Sequence, residues 1–156
     1  MVSQRVRRLD VGGFTLIELI VVMAIIAIVT GISAPFFNSY YQAMKLRAAA
    51  DELATILNGA RYQAIKQNTT ICVGLTSTKV QYHVGSCAGP AWVGVGTDDT
   101  GTITLQNTLE VSAATANVSF TNLGAATLGG TYTIRNPSDG HTLTVTVAGS
   151  GRISIP

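Results

Sequence analysis

The 21 residues from Phe14 to Ala34, FTLIELIVVMAIIAIVTGISA, carry one charged side chain, Glu18. As a helix rising 1.5 Å per residue this run reaches roughly 31 Å, about the hydrocarbon thickness of a bilayer. It is the one stretch of the chain that qualifies as a span, so a single-pass anchor is predicted. A carboxylate in hydrocarbon costs on the order of 3 kcal/mol, which makes Glu18 a functional residue by default.

A cleaved secretory signal also joins a basic start to an apolar middle. Its apolar region is about 7 to 15 residues long and ends in a small-x-small site. Here the run is longer, and Ile32 stands where a cut after Ala34 would need a small residue. Arg5, Arg7 and Arg8 precede the run, and the positive-inside tendency keeps that end in the cytoplasm. The chain from about Pro35 onward then lies across the membrane, which in a bacterium is the periplasm, where disulfides form and persist.

A chain of 156 residues has room for such an anchor and one small domain. From Phe36 to about Asn68, apolar residues recur at Leu46, Ala49, Leu53, Leu57, Ala60 and Ala64. Lys45, Arg47, Asp51, Glu52, Arg61 and Lys66 fall mostly elsewhere, so an amphipathic helix with one buried face is predicted. The two helical stretches, 14–34 and 35–68, read as one long element interrupted at Gly31 and Pro35. The proline ring meets the Gly31 carbonyl and deprives it of a donor, giving a kink or a loosened turn; a second helix starting at Pro35 is the alternative.

After Asn68 the composition turns to Thr, Val, Gly, Ser and Asn. Short alternating runs follow: TICVGL, KVQYHV, AWVGVG, TITLQNTLEV, NVSF, TYTIRN, HTLTVTV and RISI. Their period of two, with LGG and PSDG between them, predicts antiparallel strands packed on the second helix over residues 69–156. The fold class is α+β.

Cys72 and Cys87 are the only cysteines, with fourteen residues between them around a predicted hairpin. The oxidising compartment favours a disulfide, and two buried thiols are the alternative that spacing leaves open. They and the distant His83 and His141 lack metal-ligand spacing. Asp98 and Asp99 before Gly101 read as a solvated turn or as an aid to cation binding. His83, within an alternating strand, reads as packing or surface. Phosphate-loop, nucleophile-elbow and zinc-protease motifs are missing, as is the rest of a dinucleotide fingerprint around GVG at 94–96, so no enzyme and no cofactor are expected. The formal charge of +2 rests on the leader: without residues 1–13, which hold Arg5, Arg7, Arg8 and Asp10, ten basic and eight acidic residues become seven of each. Basicity therefore gives little support to nucleic-acid binding.

The segment GGFTLIEL, behind a short basic leader and ahead of an apolar helix with Pro35, resembles the processing site of type IV prepilins and type II secretion pseudopilins. ARYQAIKQN, the two cysteines, Trp92 before Gly94, VSFTNLGAATLGGTYTI and GSGRISIP resemble the GspH/FimT group of minor pilins and pseudopilins. The resemblance implies a long N-terminal helix under a β head of two packed sheets. It implies cleavage by prepilin peptidase after Gly13, methylation of the Phe14 amine, and pairing of that amine with Glu18 of a neighbouring subunit. The implied partners are other minor and major pilins or pseudopilins, and inner-membrane lipid before assembly. The implied role is to start or cap a periplasmic filament for type II secretion; the alternative is a minor type IV pilin. Some FimT-type subunits capture DNA through a GRxR-like tail, and here Arg152 matches the first arginine while Ser154 replaces the second.

Overall fold

The computed structural model describes residues 13–76, 78–105, 110–113 and 117–156, without the side chains of 34–36 and 113. Arg5, Arg7 and Arg8 lie outside the described residues. One helix, α1, runs Leu16–Lys66, followed by strands β1 Ile71–Thr76, β2 Lys79–Val84, β3 Thr102–Thr104, β4 Glu110–Ala113, β5 Ser119–Phe120, β6 Gly130–Arg135, β7 Thr142–Val147 and β8 Ile153–Ser154. By contacts the chain divides into two compact units, with the boundary inside α1 between Ser39 and Tyr40.

In the first unit, every side chain from Leu16 to Ser33 is exposed, and this segment has a mean hydropathy of 2.6. Helix assignment continues unbroken through Gly31 and Pro35. Thr30 and Ser33 do not leave bare hydroxyls in this apolar stretch: Thr30 Oγ1 donates to the Ile26 carbonyl at 2.7 Å and Ser33 Oγ to the Val29 carbonyl at 2.8 Å. Such back-bonding lets polar residues sit in a span without unmet donors.

The second unit is built on the buried stripe of α1. Leu46, Ala49, Leu53, Leu57, Ala60 and Ala64 are all buried, joined by Ala50 and Ile56. The helix ends because Asn68 takes the left-handed conformation at φ 50°, and the Thr69 and Asn68 amides donate back to the Ala64 and Ile65 carbonyls. That pairing is a Schellman motif, which satisfies carbonyls that a helix end otherwise leaves open.

Two antiparallel four-stranded sheets complete the core, in the orders β3-β2-β1-β5 and β4-β6-β7-β8. Ile71, Val73, Val80, Tyr82 and Phe120 of the first, with Val111, Tyr132, Ile134, Val145 and Val147 of the second, join the helix stripe in one apolar cluster. Alternation in HTLTVTV has the expected result: Val145 and Val147 turn inward while Thr142 is exposed.

Two sequence expectations need correction. AWVGVG is not a strand: after one bridge from Ala91 to His83 it turns, with Thr97 Oγ1 within 2.9 Å of both the Gly94 amide and carbonyl and Gly96 at φ 92°. The glycines give the run the look of alternation but supply no side chains to bury. TITLQNTLEV does not form one strand either, since its two ends belong to different sheets as β3 and β4.

Candidate functional site

The N-terminal end of α1 holds Glu18, the one carboxylate of the apolar segment Leu16–Ser33. Thr15 precedes the first helical residue and Glu18 occupies the third helical position. The Glu18 amide donates to Thr15 Oγ1 at 3.3 Å, and Glu18 Oε2 accepts from the Thr15 amide at 3.4 Å and from its hydroxyl at 3.5 Å. This is a capping box: two side chains satisfy, reciprocally, backbone donors that have no intrahelical partner. The negative carboxylate also sits at the positive end of the helix dipole. Its signature, Thr-x-x-Glu ahead of an apolar run, is legible in the sequence as TLIE.

Gly13 has open space around it, and Phe14 is 86% exposed. An amine at Phe14 would lie one residue from the cap, near a carboxylate with acceptor capacity to spare. Gly31 lies further along the same exposed segment, again in open space, while the side chain of Pro35 falls outside the described residues.

The remaining sequence candidates lie in the head. Cys72, buried on β1, and Cys87, in the turn after β2, are joined by a disulfide with their Cα atoms 5.0 Å apart. His83 sits opposite Cys72 in the register, and its Nδ1 lies 2.9 Å from the Gly89 carbonyl, so the ring fixes the same turn. Asp98 closes its own turn, accepting from the Thr100 amide and hydroxyl and the Thr102 amide at 2.7–2.8 Å. The Thr100 hydroxyl, with the backbone donors, holds its carboxyl below the usual carboxylate range. Asp98 is thus structural, and among the described residues no group of three His, Cys, Asp or Glu gathers to hold a metal.

Arg152 is exposed in the β7–β8 turn, immediately after a buried Gly151. Gly151 has φ 79°, and a Cβ there would run into the Gly124 carbonyl. That carbonyl already accepts from Arg61 Nε at 2.8 Å, so Arg61, expected on a polar face, instead latches α1 to two turns of the head. Asn136, 2% exposed, is a second latch: its Nδ2 donates to Gln42 Oε1 at 3.0 Å while its Oδ1 accepts from the Ser138 amide. Neither latch was visible in the sequence, because each joins residues more than sixty positions apart.

Comparison with known proteins separates these roles. Residues 8–34 match the family model of the prokaryotic N-terminal methylation motif, and residues 49–151 that of the type II transport protein GspH. A fimbrial protein of Pseudomonas aeruginosa is 29% identical over 135 residues, covering 82% of this chain and 80% of that protein. In fold, the chain is similar to the solution structure of Escherichia coli GspH, with a TM-score of 0.56 at 16% identity over 72% of this chain and 88% of that one. It is likewise similar to the type IV minor pilin FimU of P. aeruginosa, with a TM-score of 0.54 at 18% identity over 75% and 92% of the two chains. Capped apolar helix, disulfide-tied β head and a match spanning most of that head lead to one assignment: the chain belongs to the GspH family of minor pseudopilins and minor type IV pilins, structural subunits rather than enzymes.

Proposed function

We propose that prepilin peptidase cuts this chain between Gly13 and Phe14, that the Phe14 amine is methylated, and that the mature subunit helps start or cap a periplasmic pseudopilus for type II secretion. The observation that carries this reading is the union of a methylation-motif match over residues 8–34 with an exposed apolar helix whose first turn holds Glu18. Before assembly the helix is a single-pass inner-membrane anchor, its start cytoplasmic and its head periplasmic. Cleavage creates a cation at Phe14 that stays charged on methylation. In an apolar bundle that cation and Glu18 of a neighbouring subunit are each costly alone, so docking is favoured where they meet. A bend at Gly31 and Pro35 would fit the helix to such a bundle.

Two substitutions test the reading. Gly13→Val is expected to leave the precursor uncut, seen as an unshifted band, and Glu18→Leu to allow cutting but abolish secretion. Normal secretion by the Glu18→Leu strain sinks the proposal. A second reading, a minor type IV pilin, draws support from the fimbrial relative of P. aeruginosa. Deleting the gene and scoring secretion and surface piliation side by side separates the two.

A further inference from the structure

On α1, Tyr40, Tyr41 and Met44 are 64%, 49% and 52% exposed. They lie on the side of the helix away from the buried stripe, and Gln42, between them in sequence, turns the other way to bond Asn136. Lys45 extends along this cluster, its Nζ 4.7 Å from the Tyr41 ring centroid. The head therefore leaves two aromatic rings and a thioether exposed beside a half-buried lysine within six consecutive residues.

Their place along the chain identifies what covers them. The apolar span Phe14–Ala34 holds no charge but Glu18, a run worth roughly 31 Å of helix and so one hydrocarbon core. Tyr40 follows six residues later, about 9 Å of rise, just beyond a headgroup layer roughly 5 to 7 Å deep. Helical side chains lean toward the helix N-terminus, so both tyrosines tilt back toward that layer. Tyrosine is enriched there because its ring is apolar and its hydroxyl is wet, and a lysine stem lies along apolar surface while its ammonium reaches water. The cluster also breaks off: the same face continues for about three turns as the small or polar Ala48, Asp51, Thr55 and Asn58, all exposed, before Tyr62 and Ile65 near the helix end. A partner helix packed alongside would call for an apolar stripe along the whole face, whereas a lipid interface calls for about two turns of it.

We propose that Tyr40, Tyr41, Met44 and Lys45 form an interfacial collar that seats the head on the outer headgroup layer of the membrane its helix spans, fixing how far the subunit projects before assembly. The proposal rests on the membrane-anchor reading above. Its test uses the full chain from Phe14 reconstituted in phosphatidylglycerol–phosphatidylethanolamine vesicles, with Tyr40→Trp, Ile25→Trp and Tyr62→Trp each in a Trp92→Phe background. If that background fails to fold, the same variants are read as increments over the Trp92 signal.

The expected result is that the indole at position 40 is quenched about twice as strongly by lipids brominated near the carbonyls as by lipids brominated at the chain ends. At position 25 the order reverses, and at position 62 only aqueous iodide quenches. If position 25 is quenched by deep bromine while position 40 behaves like position 62, the collar is wrong and the anchor stands. Position 40 shielded from both bromine and iodide means a second copy covers it, which also overturns the collar. Failure at position 25 overturns the anchor reading itself.

Discussion

At the scale of residues, the observed role of Glu18 and its proposed one are separable. As the third helical residue, closing a capping box, it accepts from Thr15, a role that needs only an acceptor oxygen. As the proposed partner of a neighbouring amine it needs negative charge. Glu18→Gln keeps the first and removes the second. The variant is expected to keep wild-type helicity by circular dichroism, with a change within about 0.5 kcal/mol of helix stability, yet to be absent from sheared filament fractions. Wild-type amounts in those fractions would reduce Glu18 to a cap. Tyr82 carries a second prediction. Its hydroxyl donates to the Ile56 carbonyl at 2.6 Å, and burial pushes its pKa up to about 12; Tyr132 is raised for the same reason. A tyrosine whose folded pKa lies above its unfolded value of about 10 contributes its full stability below pH 10 and loses it as pH rises toward 12. Unfolding free energies from urea titrations are therefore expected to be flat up to about pH 9 and then to fall by at most about 1.4 kcal/mol per pH unit for each such tyrosine. Tyr82→Phe should cost about 1 kcal/mol at neutral pH and make the alkaline fall shallower.

Among elements, turns decide how the strands and the helix are held together, and glycine is required where a turn meets another backbone. Gly151 and Gly140 both have positive φ, at 79° and 74°, but only Gly151 lies against a neighbour, the Gly124 carbonyl that Arg61 also holds. Gly140→Ala is expected to cost about 1 kcal/mol for the left-handed backbone alone. Gly151→Ala adds a clash that must displace a turn and an arginine latch, so about 3 kcal/mol is expected by denaturant unfolding. Equal costs at the two positions would show that the latch does not hold. This pair also marks what sequence can and cannot convey. Helix α1 and strands such as β7 were legible because a period of three to four or of two directly records which face is buried, as with Leu53 and Leu57 or Val145 and Val147. The Cys72–Cys87 pairing was legible as one of two open outcomes, since both cysteines flank a hairpin. The split of TITLQNTLEV between two sheets, and the pairing of Arg61 with Gly124 and Gln42 with Asn136, depend on where distant segments pass one another. No local period encodes that.

For the whole molecule, charge placement bears on the remaining reading, DNA capture through Arg152. Removing residues 1–13 leaves seven basic and seven acidic side chains, and the basic ones are dispersed and mostly engaged. Lys45 stacks on Tyr41, Arg47 lies 3.9 Å from Asp51, Arg61 bonds the Gly124 carbonyl, and Arg135 lies 3.9 Å from Glu110. Exposed pairs such as the second and fourth contribute little to stability, but each still cancels a charge that phosphate would otherwise meet. Non-sequence-specific DNA binding draws its affinity from several neighbouring cations that release counterions together. Arg152 on an exposed turn, with Ser154 two residues on rather than a second arginine, supplies one. The mature chain in mild detergent is accordingly expected to leave duplex DNA unretarded in a gel shift at low salt and tens of micromolar protein, with Arg152→Ala indistinguishable from the parent. Retardation that weakens with salt and disappears in Arg152→Ala would instead make the β7–β8 turn a DNA contact. The head would then be a capture module as well as a filament subunit.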